Sequence, residues 1–147
     1  PETYHTLFGL LSVTGMRCGE AFALNLADVR LEENLLFVRE GKFGKSRWIP
    51  ISPSTTQAII RYLGKRRHVA PTSPDFPLFV TLNGHRLCHT NADFAFRQVL
   101  QRCGLRGGKG CPGPRLHDLR HYAATRIMPR RPEEPRIIQQ EETKYTA

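Results

Sequence analysis

Two short apolar runs, Leu35-Leu36-Phe37-Val38 and Trp48-Ile49-Pro50-Ile51, enclose a polar connection containing Gly41 and Gly44, and this arrangement limits the fold more than any other stretch. Such a pattern predicts two antiparallel strands of a β-hairpin. Pro50 cannot donate to a ladder, which puts the second strand at an edge. The segments around the hairpin carry helical spacing instead. Residues Tyr4 to Val13 present Leu7, Phe8, Leu10 and Leu11 and stop at Thr14-Gly15. A second helix is expected from near Arg17 to about Leu26, with Ala21, Leu24 and Phe22 as candidates for burial. Ser52 or Ser54 can cap a third, whose stripe is Ala58, Ile59, Tyr62 and Leu63 and whose Arg61, Lys65, Arg66 and Arg67 stay polar. Asn91 to Cys103 predicts a fourth, offering Phe94, Phe96, Val99 and Leu100 to the core. Leu78-Phe79-Val80 is a candidate short strand, and the glycines and prolines between Gly104 and Pro114 impose an irregular loop. The fold class is therefore α+β, mainly helical with a small antiparallel sheet, and 147 residues with 39% apolar content suffice for one ordinary core.

Charge narrows the partners. The chain carries 22 Lys and Arg against 13 Asp and Glu, a formal +9, which favours a polyanion such as nucleic acid, with a merely basic, solvated surface as the alternative. No apolar run is long enough to span a bilayer and no signal pattern opens the sequence, so an intracellular protein is expected. Cys18, Cys88, Cys103 and Cys111 have neither paired zinc spacing nor the density of a disulfide scaffold and are expected as free thiols. His85 and His89 stand one helical turn apart, but Asn83-Gly84 marks a turn there, and no metal site is expected.

Two stretches point to chemistry. In Thr14-Gly15-Met16-Arg17-Cys18-Gly19-Glu20, a guanidinium in the first turn of a helix opposes the macrodipole unless an anion is bound. An arginine there can give two parallel hydrogen bonds to phosphate oxygens, with Glu20 one turn on to hold it. An ordinary surface Arg-Glu pair is the other reading. Later, Leu116, Leu119, Ala123 and Ile127 define the buried stripe of a helix preceded by Pro114. His117 and Arg120 flank that stripe, three residues apart and so on one face, where a side chain is both rigid and accessible.

Taken in order, Arg17-x-x-Glu20 after Thr-Gly, the hairpin Gly41-Lys42-x-Gly44-Lys45-x-Arg47 before Ile49-Pro50-Ile51, and Leu116-His117-Asp118-Leu119-Arg120-His121 with Ala124-Thr125 resemble the catalytic domain of the tyrosine recombinases, the phage integrase family. The resemblance covers roughly residues 3–128, leaving 129–147 as a divergent tail rich in proline and charge. It implies cleavage and rejoining of double-stranded DNA through a 3′-phosphotyrosine, with no metal and no cofactor, by a bacterial or phage-encoded protein of the cytoplasm associated with the nucleoid. Arg17 and Arg120 correspond to the two arginines that neutralise the scissile phosphate. Lys42, with Lys45 as second choice, corresponds to the lysine that protonates the leaving 5′ oxygen. His117 corresponds to the histidine that assists proton transfer, and Glu20 and His121 to supporting groups. Lys45, Arg47, Arg106, Lys109 and Arg115 are the expected contacts to the DNA backbone.

The tail departs from the family pattern. Pro129, Pro132 and Pro135 interrupt any helix there, and the Leu-Gly-His element is missing from residues 129–147. Beyond Tyr122, which directly follows the histidine-arginine motif, Tyr145 is the one tyrosine, and it stands closer to the motif than the family places its nucleophile. It reads either as the nucleophile of a shortened tail or as a coincidence, and the need for a fixed in-line approach favours coincidence. The chain is expected to be a fragment of a recombinase that in full forms tetramers on DNA, to be monomeric in solution by itself, and to be either catalytic or a DNA-binding remnant.

Overall fold

The computed structural model describes residues 2–39, 44–105, 110 and 113–127. Among the described residues are five helices and a three-stranded sheet, with α1 packed against each of the other helices. Helix α1 spans Glu2–Thr14, α2 Cys18–Ala23, α3 Pro53–Arg66, α4 His89–Arg102 and α5 Asp118–Ile127. Strands β1 (Val29–Arg30), β2 (Leu35–Val38) and β3 (Arg47–Pro50) form an antiparallel sheet in the order β1-β2-β3. The edge position of β3 agrees with the constraint set by Pro50, which pairs with Leu35, while Phe37 pairs with Trp48 and Val38 with Arg47. Asn34 adopts a left-handed φ of 55° in the turn between β1 and β2, a conformation asparagine tolerates.

One core joins these elements. Leu7, Leu10 and Leu11 of α1 meet Leu36 and Val38 of β2, Ile59 and Tyr62 of α3, Phe96 and Leu100 of α4, and Leu116 before α5. Ser52 is the cap of α3, its hydroxyl accepting from the Thr55 amide at 3.2 Å. No described helix is long and apolar enough to cross a membrane. Cys18, Cys88 and Cys103 are free thiols, and Cys111 lies outside the described residues.

Four local expectations are corrected. Helix α2 ends at Ala23, not near Leu26, and a 3₁₀ turn follows over Leu26–Asp28. Arg86 satisfies the carbonyls at this end, donating to Phe22 at 2.7 Å, and Asp28 accepts the Asn25 amide at 2.9 Å, so the chain turns instead of coiling on. Leu78 to Val80 forms no ladder but only lies between isolated bridges at Pro77 and Val80, because Pro77 has no amide to give. Phe94 and Val99 are exposed, since Ala92, Phe96 and Leu100 at spacings of four already define the buried stripe of α4. Finally, Arg66 is not a surface residue.

Arg66 is 2% exposed. It occupies the turn after Ile59 and Tyr62 on the inward face of α3, so helical geometry carries it into the core. No carboxylate meets it among the described residues. Its guanidinium instead donates to the carbonyls of Pro71 (2.7 Å), Pro77 (2.6 Å) and Leu78 (3.0 Å), gathering the loop that follows α3. Burial pulls its pKa down from the usual arginine range.

Gly15 sets how closely α5 approaches. Its φ of +62° ends α1, and a Cβ built on it would stand 3.3 Å from the Cβ of Ala123 and 3.9 Å from the Arg120 carbonyl. Gly15→Ala is therefore expected to cost about 1–2 kcal/mol from the left-handed backbone alone. The shift it forces on α5 should add to that, read as a lowered midpoint in urea unfolding.

Candidate phosphate-binding site

The approach at Gly15 also brings two motifs together that lie a hundred residues apart in the sequence. Arg17 follows the glycine by two residues, and Arg120 lies on the turn of α5 that the glycine touches. Arg17 is the N-cap of α2, with extended backbone, instead of lying in its first turn. The acid at the favourable first-turn position is Glu20.

Glu20 organises this side of the site. Its side chain is 8% exposed and accepts four hydrogen bonds. The Arg17 amide donates to Oε2 at 2.8 Å and Arg17 Nη1 to Oε1 at 3.2 Å. Arg47, at the start of β3, donates Nη1 to Oε1 at 3.0 Å and Nη2 to Oε2 at 2.8 Å, a parallel fork. Burial pushes the Glu20 pKa up, but the hydrogen bonds from Arg47 and from the Arg17 amide, with the charges behind them, outweigh it and hold the carboxyl at about 2.

The sign of the resulting pH effect is fixed. A carboxyl depressed in the folded chain from 4.5 to about 2 contributes stability above 4.5 that is lost as pH falls toward 2. Thermal unfolding followed across that window should show a flatter acid limb for Glu20→Gln than for the unaltered chain.

On the α5 side, Arg120 is half-buried, and its Nη1 is fully buried with no hydrogen-bond partner among the described residues. An unpaired charged donor in the interior is costly, and native structures leave few of them, a functional site being one of the places where they do. His117 precedes the helix, exposed, its ring 5.4 Å from that of His121 in an edge-to-face arrangement. Asp118 fixes the entry to α5 by accepting the Arg115 amide at 2.8 Å. Arg115 itself is exposed and only loosely paired with Asp118, at 3.8 Å.

Of the residues singled out from sequence, Arg17, Glu20, Arg47, His117, Arg120 and His121 are thus placed on adjoining elements, and Lys45 is exposed beside β3. Lys42, Arg106, Lys109 and Tyr145 lie outside the described residues. The fork from Arg47 to Glu20 was not anticipated. Strand parity carried the signal, since Arg47 pairs with buried Val38 and so faces inward, opposite to Trp48.

Comparison with known proteins gives this arrangement a family. Residues 1–140 match the model of the phage integrase family. The chain is 44% identical over 131 residues to the integrase/recombinase y4rB of Sinorhizobium fredii, covering 88% of this chain and 42% of that protein. It is 33% identical over 119 residues to tyrosine recombinase XerC of Alcanivorax borkumensis, covering 81% of this chain and 37% of the relative. Among solved structures, XerA recombinase superposes with a TM-score of 0.71 at 27% identity, over 86% of this chain and 43% of that one. The XerH site-specific recombinase bound to its palindromic difH substrate does so with a TM-score of 0.68 at 25% identity, over 86% of this chain and 34% of that one. The chain spans about two-fifths of the length of the curated relatives it matches. With residues 1–140 matched by the family model and these relatives aligned over more than four-fifths of its length, the chain belongs to the phage integrase family of tyrosine recombinases.

Proposed function

We propose that this chain grips the scissile phosphate of a DNA duplex and takes part in breaking and rejoining the strand through a 3′-phosphotyrosine. The observation that carries the reading is the buried, unpartnered Nη1 of Arg120, on the helix turn packed against the Gly15 that precedes Arg17. Two guanidinia offered to one phosphate neutralise the charge that grows on its oxygens as a phenolate adds to phosphorus. His117 assists proton movement at the phosphate, and Lys42, or Lys45 in its place, protonates the 5′ oxygen as its bond to phosphorus breaks. Glu20 and His121 support these groups. Lys45, Arg106, Lys109 and Arg115 serve the flanking backbone of the DNA, whose contacts supply salt-dependent affinity. Family likeness supports the substrate class, since the XerH relative is bound to its difH substrate in a post-cleavage complex.

Tyr145 is the candidate nucleophile within this chain. If it is the nucleophile, incubation with nicked duplexes followed by a denaturing gel reveals a covalent adduct that Tyr145→Phe removes. The prolines at 129, 132 and 135, which interrupt helix between the histidine-arginine motif and Tyr145, favour a second reading, a DNA-binding unit that holds the phosphate without attacking it. No adduct, with DNA binding intact and weakened by Arg120→Ala, would select that second reading.

A further inference from the structure

We infer that Arg47 is a positioning residue whose pairing with Glu20 leaves the Arg17 guanidinium free for the DNA phosphate. The inference rests on the assignment of Arg17 and Arg120 to phosphate binding and concerns a residue that acts through one of them.

The geometry defines a competition. A carboxylate has about four lone-pair sites, and the four bonds to Glu20 fill them, two from Arg47 Nη1 and Nη2, one from the Arg17 amide and one from Arg17 Nη1. Arg47 makes the shorter, parallel pair, while the Arg17 guanidinium holds a single contact at 3.2 Å and has no other partner among the described residues. Its remaining N–H donors are therefore uncommitted. Charge follows the same division. Glu20 beside Arg17 alone is a neutral pair with little to offer an anion, whereas Glu20 between two guanidinia leaves one net positive charge at the site. The side chains of Arg17 and Arg47 are 38% and 40% exposed and that of Glu20 8%, so the net positive charge faces outward over a buried carboxylate.

Without Arg47, the buried carboxylate would draw Arg17 into the two-bond fork that Arg47 now occupies. Arg47 is 40% exposed, and a direct contact between it and DNA is the competing explanation.

Titration of a fluorescent duplex at several salt concentrations separates the two. Arg47→Ala is expected to lower affinity about tenfold and to reduce the salt slope by about 0.9, the loss of one phosphate contact. In an Arg17→Ala background the same change should have no further effect, because its target is gone. Glu20→Gln combined with Arg47→Ala should restore the slope, since a neutral amide no longer captures Arg17. Arg47→Lys, which keeps the charge and lacks the fork, should fall between. Additive losses from Arg17→Ala and Arg47→Ala, or failure of Glu20→Gln to restore the slope in chains whose circular dichroism shows them folded, would overturn the inference and leave phosphate binding by Arg17 standing. If instead Arg17→Ala and Arg120→Ala both leave DNA binding unchanged, the assignment of the pocket fails and this inference falls with it.

Discussion

Arg120→Ala is expected to lower affinity for duplex DNA by about tenfold or more, the range of a charge-assisted hydrogen bond, and to slow any strand cleavage about 10²–10³-fold, as when one donor is removed from a transition-state charge. The reason is the placement of its guanidinium. Nη1 is buried on a rigid helix, with the Gly15 contact fixing the distance to the α1 turn, so a phosphate that reaches it meets a donor already desolvated and aimed. Arg120→Lys should recover little, because an ammonium cannot reproduce two parallel bonds from one plane. Stability should move the other way. Removing a half-buried guanidinium whose buried Nη1 has no partner among the described residues relieves a desolvation penalty, so Arg120→Ala is expected to unfold no earlier than the unaltered chain while binding DNA worse. Affinity titrations and thermal melts on the same preparations check both halves, and a variant that loses stability and affinity together would speak for a structural arginine.

The opposite outcome is expected at Arg66. Arg66→Met keeps much of the volume and removes the donors, leaving the carbonyls of Pro71 and Pro77 without their bonds, whereas the Leu78 carbonyl keeps the Tyr62 hydroxyl at 3.1 Å. Both carbonyls are only partly buried, so at about 1.5–2 kcal/mol for each lost hydrogen bond from a charged donor the loss should reach about 3–4 kcal/mol. That is a large fraction of the roughly 5–15 kcal/mol by which a domain is stable, and the melting temperature should drop by about 10 °C or more. A shift of under two degrees would mean that the loop after α3 holds its shape without Arg66. Tyr62 contributes to the same assembly by accepting the Val80 amide at 3.1 Å, and its burial raises the phenol above its ordinary pKa.

These two arginines also show where the sequence was legible. Arg120 was readable because it flanks an apolar stripe at i, i+3 and i+7, so its place at the edge of the core follows from period alone. Arg66 was not, although it lies one turn beyond Tyr62 on the inward face, because a cationic side chain after Lys65 reads as solvated until its carbonyl partners are known. The hairpin and its edge strand followed from two apolar runs and Pro50. The early end of α2 did not, because it depends on Arg86 reaching the Phe22 carbonyl from a loop sixty residues away. Arg17 and Glu20 were legible as a pair at i, i+3, whereas the third member of their cluster sits on a different element, and pairing across elements leaves no local spacing to read.

The pairing of Arg17 with Arg120 across one phosphate is the claim on which the functional account depends. A crystal structure of this chain bound to a nicked duplex tests it most directly. A non-bridging phosphate oxygen about 2.7–2.9 Å from Arg120 Nη1, with Arg17 donating to the same phosphate, is the predicted result. Phosphates lying elsewhere on the surface, with Nη1 of Arg120 still unpartnered, would contradict it.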